Sequence, residues 1–230
     1  MDSDPDAAIN AALLDKLSGK AALNQLVFDN TFAVFTSLKE TLHEMSADLD
    51  DRLEELDREV KIDYRDRGKF EVQLQVADDI LIFNMHSNVF AFNREHPVWQ
   101  NPYVKDNKAN SYCGIINIYN FLTDSFKYNR SADEGYLIGR IFVNREKQYF
   151  VEGKRQVGIH YDHFGSHQID REALIHIIEA SIDYALDFDL LVPPYDTVKI
   201  VSMDQFNTKI ENSKFQTGKR LGYTYELDNI

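Results

Sequence analysis

The sequence predicts an α+β fold in which a long N-terminal amphipathic helix precedes an antiparallel β-sheet, and a C-terminal helix covers that sheet. Three observations predict it. Residues 20–64 contain neither glycine nor proline, and apolar residues recur there at steps of three and four. From Gly68 onward the apolar period becomes two, as in strands. Asp170 then provides an N-cap for another segment with helical spacing.

The change of period divides the chain into an N-terminal helical arm, residues 1–67, and an α+β sheet domain, residues 68–230. The net charge of −13 disfavours binding to nucleic acid, which requires a basic surface. No segment approaches the ~18 uncharged apolar residues of a membrane span, and no secretory signal is evident. A single cysteine, Cys113, fits a reducing compartment. We therefore expect a cytoplasmic protein that binds neither nucleic acid nor membranes.

Two helices are predicted in the arm. The alanine-rich residues after Pro5 predict a short helix through about Leu17, which the Ser18-Gly19 pair ends. The second helix covers residues 20–64. At 1.5 Å per residue it would reach roughly 60 Å, which exceeds the width of a small domain. Part of it is expected to protrude, to break, or to pack on another chain.

The second half of this helix carries a short heptad-like seam with acidic flanks, which is typical of a coiled coil. The seam consists of Leu42, Met45, Leu49, Leu53, Leu56 and Val60. Such a stripe either covers the protein's own core, with the acidic face in water, or docks a partner chain. We take Phe35, Leu38 and the seam from Leu42 to Leu56 as candidate partner-binding residues.

Strict alternation at residues 70–76 predicts the clearest strand of the sheet. Turn residues separate further apolar runs at 80–83 and 89–92, which predicts a three-stranded antiparallel meander. Residues 93–111 are polar and rich in asparagine, which predicts a long connection over the surface. Trp99 and Tyr103 in this connection are candidate partner contacts.

The remaining segments predict a second β-rich block and its covering helix. Residues 112–119 fit either a strand or a buried helix, and residues 136–151 predict a hairpin. Further strands are expected at 157–161, 197–201 and 221–227. The helix after Asp170 has a small or apolar face, formed by Leu174, Ile177, Ile178, Ser181, Ile182 and Ala185.

The densest group of potential metal ligands is a histidine cluster near the predicted end of a strand. Three of the seven histidines, His160, His163 and His167, lie within eight residues together with Asp162. On a strand His160 and Asp162 share one face, and a turn could return His167 to them. Two imidazoles and a carboxylate suit a divalent ion that activates water. The simpler interpretation is a set of histidines hydrogen-bonded locally or to water.

Two other sets of residues are candidates for a catalytic or a binding role. Cys113 could act as a nucleophile with His160 or His163 as its base, if a helix N-terminus lowers the pKa of the thiol. A lone cysteine, however, is more often a small buried hydrophobe.

A stripe of cations and aromatic rings could bind a single strand of nucleic acid, although charges in hairpins are usually solvated. The stripe consists of Arg140, Arg145, Lys147, Lys154 and Arg155 with Phe142, Tyr149 and Phe150.

The order of elements resembles that of sensory modules in which a signalling helix precedes a PAS- or GAF-like domain, over roughly residues 40–190. The resemblance implies a regulatory role by element order alone. We therefore expect a non-enzymatic binding or regulatory protein without a cofactor, which self-associates or docks a protein partner through residues 28–60. The competing hypothesis is a hydrolase-like, metal-dependent enzyme centred on His160, Asp162 and His167.

Overall fold

One long helix forms the N-terminal part of the protein. In the computed structural model, which describes residues 11, 13–131, 133–153, 164–188, 195–200 and 202–203, helical backbone continues from Leu13 to Glu55. Its main part is α1 (Ala22–Glu55), and a π-helical turn (Leu17–Ala21) precedes it. At 1.5 Å per residue the whole helix is about 65 Å long. Its first buried side chain is Val27, so the helix extends beyond the body of the protein at its N-terminal end.

Both predicted ends of this helix are wrong. The Ser18-Gly19 pair does not end a first helix, because both residues lie within the π-helical turn and the helix continues through them. A glycine costs a helix only about 1 kcal/mol, and helix-forming residues flank this one. At its other end α1 stops at Glu55, because Asp57 adopts a left-handed conformation with φ of 52° and the chain turns back toward the sheet.

Among the described residues, six antiparallel strands form one sheet in sequential order. They are β1 (Ile62–Asp66), β2 (Glu71–Val76), β3 (Asp79–Met85), β4 (Cys113–Leu122), β5 (Tyr136–Asn144) and β6 (Tyr149–Gly153). The strands predicted at 70–76 and 80–83 are confirmed as β2 and β3, and the predicted hairpin is confirmed as β5 and β6. The ambiguous residues 112–119 belong to strand β4.

One of the three strands predicted for the meander, at residues 89–92, is wrong. The additional strand lies before Gly68, where β1 pairs with β2. Residues 89–92 do not form a strand, and Phe90 makes only an isolated bridge to Cys113. The reason is that β3 already pairs with this side of β4 from Ile116 onward, which leaves only the first residues of β4 for another segment.

The long helix and a C-terminal helix, α4 (Arg171–Leu186), cover one face of the sheet. This core includes Phe35, Leu38, Leu42, Leu74, Leu81, Phe83, Ile116, Ile118, Ile141, Leu174 and Ile178. The helix approaches β4 closely at Gly114, where a Cβ atom would lie 2.2 Å from Oγ1 of Thr31. The division into parts at residue 67 stays a prediction, and the core takes side chains from both sides of it.

The connection between β3 and β4 packs on the opposite face of the sheet. It contains two 3₁₀ turns (Pro97–Gln100 and Lys108–Ser111) and the short helix α2 (Pro102–Asp106). A second, smaller core lies beneath it, formed by Val98, Val104, Cys113, Phe142, Phe150 and Phe164. The predicted connection at 93–111 is therefore an ordered layer of the fold.

The C-terminal part of the described chain agrees with the prediction at α4 and differs beyond it. Asp170 caps α4 as predicted, since its Oδ1 accepts a hydrogen bond from the amide of Ala173 at 2.8 Å. The strand predicted at 197–201 is wrong, because residues Tyr195–Val198 form a helical turn, α5, in which the Lys199 amide donates to the Tyr195 carbonyl. A further short helix, α3 (Thr123–Lys127), follows β4. The strands predicted at 157–161 and 221–227 lie outside the described residues.

Candidate functional site

The histidine cluster lies mostly outside the described part of the chain. Of its members, the structure places only His167, which is exposed in the loop before α4. Its Nδ1 atom lies 2.8 Å from the hydroxyl of Ser166. Among the described residues, no group of three or more His, Cys, Asp and Glu side chains is arranged to hold a metal ion. A divalent metal on His160, Asp162 and His167, and a base at His163, stay predictions.

Cys113 begins a strand rather than a helix, so no helix N-terminus lowers the pKa of its thiol. The side chain is fully buried in the smaller core, and burial raises the pKa of the thiol. A neutral thiol without access to solvent is a poor nucleophile. The position of Cys113 therefore agrees with the simpler interpretation of a small buried hydrophobe.

Two of the three rings in the stripe of cations and aromatic residues are buried. Phe142 and Phe150 stack on each other in the smaller core, with ring centroids 4.7 Å apart and 3% and 1% exposure. Arg140 forms an ion pair with Glu152 across β5 and β6. The cations at 154–155 lie outside the described residues. The two buried rings are not available to stack on bases.

Tyr103 holds the connection onto the β5–β6 hairpin, and Trp99 forms a hydrogen bond within the connection. The Tyr103 hydroxyl donates a hydrogen bond to Oε2 of Glu146 at 2.7 Å and accepts one from Nδ2 of Asn144 at 2.9 Å. Burial, and secondarily the hydrogen bond to Glu146, raises the pKa of Tyr103. Nε1 of Trp99 donates to the carbonyl of Asn93 at 2.6 Å. Both side chains are half-buried, so these two candidate partner contacts have intramolecular partners.

Three candidate partner-binding residues of the helix lie inside the protein. Phe35, Leu38 and Leu42 each have 0% exposure and belong to the core between α1 and the sheet. They therefore contact the protein's own core, and their role in partner binding stays a prediction. They are buried because this part of α1 lies directly on β-strands that the heptad spacing alone does not reveal.

The other members of the seam remain accessible to different degrees. Met45, Leu49 and Leu53 are half-buried, and Leu56 is 69% exposed just after the end of α1. Val60 lies beyond the helix. The seam is therefore divided near residue 45 into a part that covers the protein's own core and a part that leaves an apolar surface in contact with solvent.

This surface forms one wall of a groove, and α4 forms the other wall. The groove encloses about 860 Å³ between the C-terminal half of α1 and the outer face of α4. Its apolar floor consists of Met45, Leu49, Ile175, Ala180, Ile182 and Leu186. Leu186 is 54% exposed. Both walls are anchored, because Leu42 of α1 and Ile178 of α4 are fully buried in the shared core.

The rim of the groove carries an excess of negative charge. The charged side chains and the histidine on it are Glu44, Asp48, Arg52, Arg171, His176, Glu179 and Asp183. Four carboxylates against two arginines leave two net negative charges when the histidine is neutral. Both arginines already have carboxylate partners on the rim: Arg52 contacts Asp48 at 2.9 Å, and Arg171 pairs with Glu44. The excess charge therefore lies on α4, at Asp183 and at Glu179, whose Oε2 lies 3.6 Å from Nδ1 of His176.

Sequence reasoning assigned only half of this groove. Met45 and Leu49 are among the predicted partner-binding residues, but Ile175, Ala180 and Leu186 are not, because the sequence predicts a single apolar face for the helix after Asp170. A signal is present in the sequence, since Ile175, Ile182 and Leu186 follow one another at steps of seven and four. Such spacing indicates a second apolar stripe on the same helix.

Among the described residues, none of the helices has the length and apolar character that a membrane crossing requires. Comparison with protein-family models, with curated proteins and with solved structures gives no match to this chain, so these comparisons assign it to no family.

Proposed function

We propose that the protein is a non-enzymatic binding protein that self-associates through the groove between α1 and α4. The observation that carries the proposal is the apolar floor of the groove, in which Leu49 and Leu186 remain accessible between two charged helix faces. A groove between two helices, with apolar residues at helical spacing on both walls, suits a third amphipathic helix. Contiguous apolar surface rimmed by polar residues is typical of interaction sites.

The rigidity of the groove supports the proposal. Each wall has one face in the core and another in the groove, so the groove exists before a partner binds. A preformed site avoids the cost of ordering side chains and helices on association. On α1 the change from core to groove occurs within one helical turn, from Leu42 to Met45.

Other interactions have less support. The acidic charge of the chain disfavours nucleic acid, and two rings of the aromatic stripe are buried in the smaller core. No observation among the described residues favours the metal-dependent hydrolase. We place the self-associating protein in the cytoplasm, because its single cysteine forms no disulfide within the chain and is buried.

Light scattering after size-exclusion chromatography tests the proposal. We expect the wild-type protein to have the mass of two or more chains. The double variant Leu49→Lys and Leu186→Lys should have the mass of one chain at the same concentration, because each buried anchor of an interface typically contributes about tenfold or more to affinity. The control is Leu137→Lys, which changes a leucine of β5 that is 42% exposed and lies outside the groove.

A wild-type protein that has the mass of one chain at all accessible concentrations would contradict self-association. A control variant that dissociates as readily as the groove variant would also contradict it, because the effect would then not belong to the groove. Circular dichroism of each variant establishes that the fold is retained.

A further inference from the structure

The N-terminal end of the long helix is a second apolar surface, which is exposed in the described structure except at the half-buried Leu23 and Asn24. We call residues 13–26 the overhang. Between Leu13 and Leu26 no side chain is buried, and the first buried residue is Val27. Leu13, Leu14 and Leu17 are 52%, 64% and 54% exposed. Leucines at this density on a solvated helix are typical of a helix that packs on another surface.

The overhang carries a net positive charge, whereas the rim of the groove carries a net negative charge. Leu13 and Leu17 lie four residues apart on one face, and Lys16 and Lys20 each follow one of these leucines by three residues. Residues three and four apart are neighbours on a helix surface, so the apolar stripe carries two lysines along its side. With Asp15 the overhang has a net charge of +1, from two lysines and one aspartate.

The geometry points to the overhang of one copy as the occupant of the groove of a second copy. This inference rests on the proposed function and names the segment that performs it. The exposed leucines of the overhang match the apolar floor of the groove, and Lys16 and Lys20 match the excess carboxylates Glu179 and Asp183 on its rim. Opposite charges around an apolar contact favour this pairing and its register.

Charge also disfavours the alternative in which two grooves face each other. A symmetric contact of that kind would bring Glu179 and Asp183 of one copy toward the same carboxylates of the other. The C-terminal part of α1 carries four further carboxylates outside the groove lining, which add to the repulsion between copies: Asp50, Asp51, Glu54 and Glu55. Like charges juxtaposed in an interface oppose association.

The helix lengths allow the overhang to contact the groove of another copy and exclude a contact with the groove of its own chain. The overhang spans about 20 Å at 1.5 Å per residue, and α4 spans roughly the same length. Leu17 and Leu49 belong to one continuous helix and are separated along it by ~48 Å, from the same rise per residue. The overhang therefore cannot reach the groove of its own chain. A head-to-tail contact between copies closes as a reciprocal dimer or propagates as a chain.

Disulfide crosslinking of the full chain tests the inference. The variants Leu17→Cys and Leu186→Cys are purified separately and mixed under mild oxidation. We expect a disulfide-linked dimer to form in the mixture and not with either variant alone. A reductant should convert this dimer back to single chains. A disulfide requires the two Cα atoms to lie within about 7 Å, so its formation reports direct contact. The native Cys113 is fully buried and serves as an internal control in the unmodified protein.

The possible results separate this inference from the proposed function. If Leu186→Cys crosslinks only to itself, the grooves face each other, which overturns the inference and leaves self-association intact. If the wild type is multimeric and depends on the groove but no crosslink forms, another surface occupies the groove and the inference is again wrong. A wild-type protein with the mass of one chain overturns both.

A charge-exchange experiment provides a second test that does not depend on cysteine chemistry. The double variant Lys16→Glu and Lys20→Glu should associate at least tenfold more weakly with itself than the wild type does. Mixing it with the variant Glu179→Lys and Asp183→Lys should restore association, since opposite charges again face each other. Lys105→Glu with Lys108→Glu, two exposed lysines of the connection, is the matched control. Failure of the mixture to associate would count against the pairing.

Discussion

At the scale of single residues, environment determines what each reactive side chain can do. Cys113 is fully buried beneath the connection between β3 and β4, and Tyr103 holds its hydroxyl between Asn144 and Glu146. Burial raises the pKa of both groups. A group held in its neutral form by burial neither attacks a substrate nor exchanges protons near neutral pH. These side chains therefore contribute to packing and to the position of the connection.

The thiol of Cys113 should resist alkylation while the protein is folded. We expect the rate with iodoacetamide at pH 8 to be at least about a hundredfold lower than in guanidinium chloride, because the buried thiol is neutral and inaccessible. Since the folded pKa is raised, folding is stabilised below the ordinary thiol pKa and loses that contribution as pH rises above it. Rapid labelling of the folded protein, measured by mass spectrometry, would restore Cys113 as a candidate nucleophile.

At the scale of elements, the ends of helices and strands are defined by specific contacts. Asp170 accepts from the Ala173 amide at the start of α4. The β1–β2 turn is held to α1 by Lys39, whose ammonium contacts the Asp66 carboxylate at 2.8 Å and lowers the pKa of that carboxyl. Lys69 in the same turn lies over the ring of Phe32 at 5.1 Å. The β1–β2 turn is thereby fixed against the long helix.

The cap of α4 gives a prediction at this scale. Asp170→Ala should lower the free energy of unfolding by about 1 kcal/mol, because the amide of Ala173 loses its acceptor at the helix start. Asp170→Ser should recover most of the loss, since serine is also a good N-cap. Urea denaturation measures both values. Equal losses in the two variants would show that the cap is not the cause.

At the scale of the whole molecule, stability and association depend on different parts of one helix. The middle of α1 covers the sheet, whereas the overhang and the groove leave apolar side chains in solvent at opposite ends. The net charge of −13 repels copies of the chain from one another at long range. An association that overcomes this repulsion requires apolar contact and local charge complementarity, which the overhang and the groove combine.

Substitutions in the overhang and in the core should therefore have separable effects. Leu13→Gln with Leu17→Gln should change the free energy of unfolding of the isolated chain by less than about 0.5 kcal/mol, because both side chains are exposed. Leu38→Ala should lower it by about 2–5 kcal/mol, since it leaves a cavity in the core. Denaturation at low protein concentration measures both. A large loss from the overhang variant would show that these leucines stabilise the fold.

The sequence was sufficient to predict a helix or strand wherever a local pattern of residues determines the local structure. The alternation at residues 70–76 predicted β2, and Asp170 predicted the start of α4, because side-chain period and capping depend on a few neighbouring residues. The glycine- and proline-free run predicted a long helix. The ends of that helix could not be predicted, because Ser18-Gly19 remains helical and the turn at Asp57 carries no glycine or proline.

Only the tertiary structure decided which apolar residues are buried and which remain in solvent. The spacing of Leu38, Leu42 and Leu49 is the same helical pattern, yet the first two lie on the sheet and Leu49 lies in the groove. Burial depends on strands distant in sequence and on where α4 crosses α1, and periodicity contains no information about either. The sequence by itself thus determined the elements and their apolar faces. The tertiary structure decided what covers each face, because packing is a property of contacts between elements.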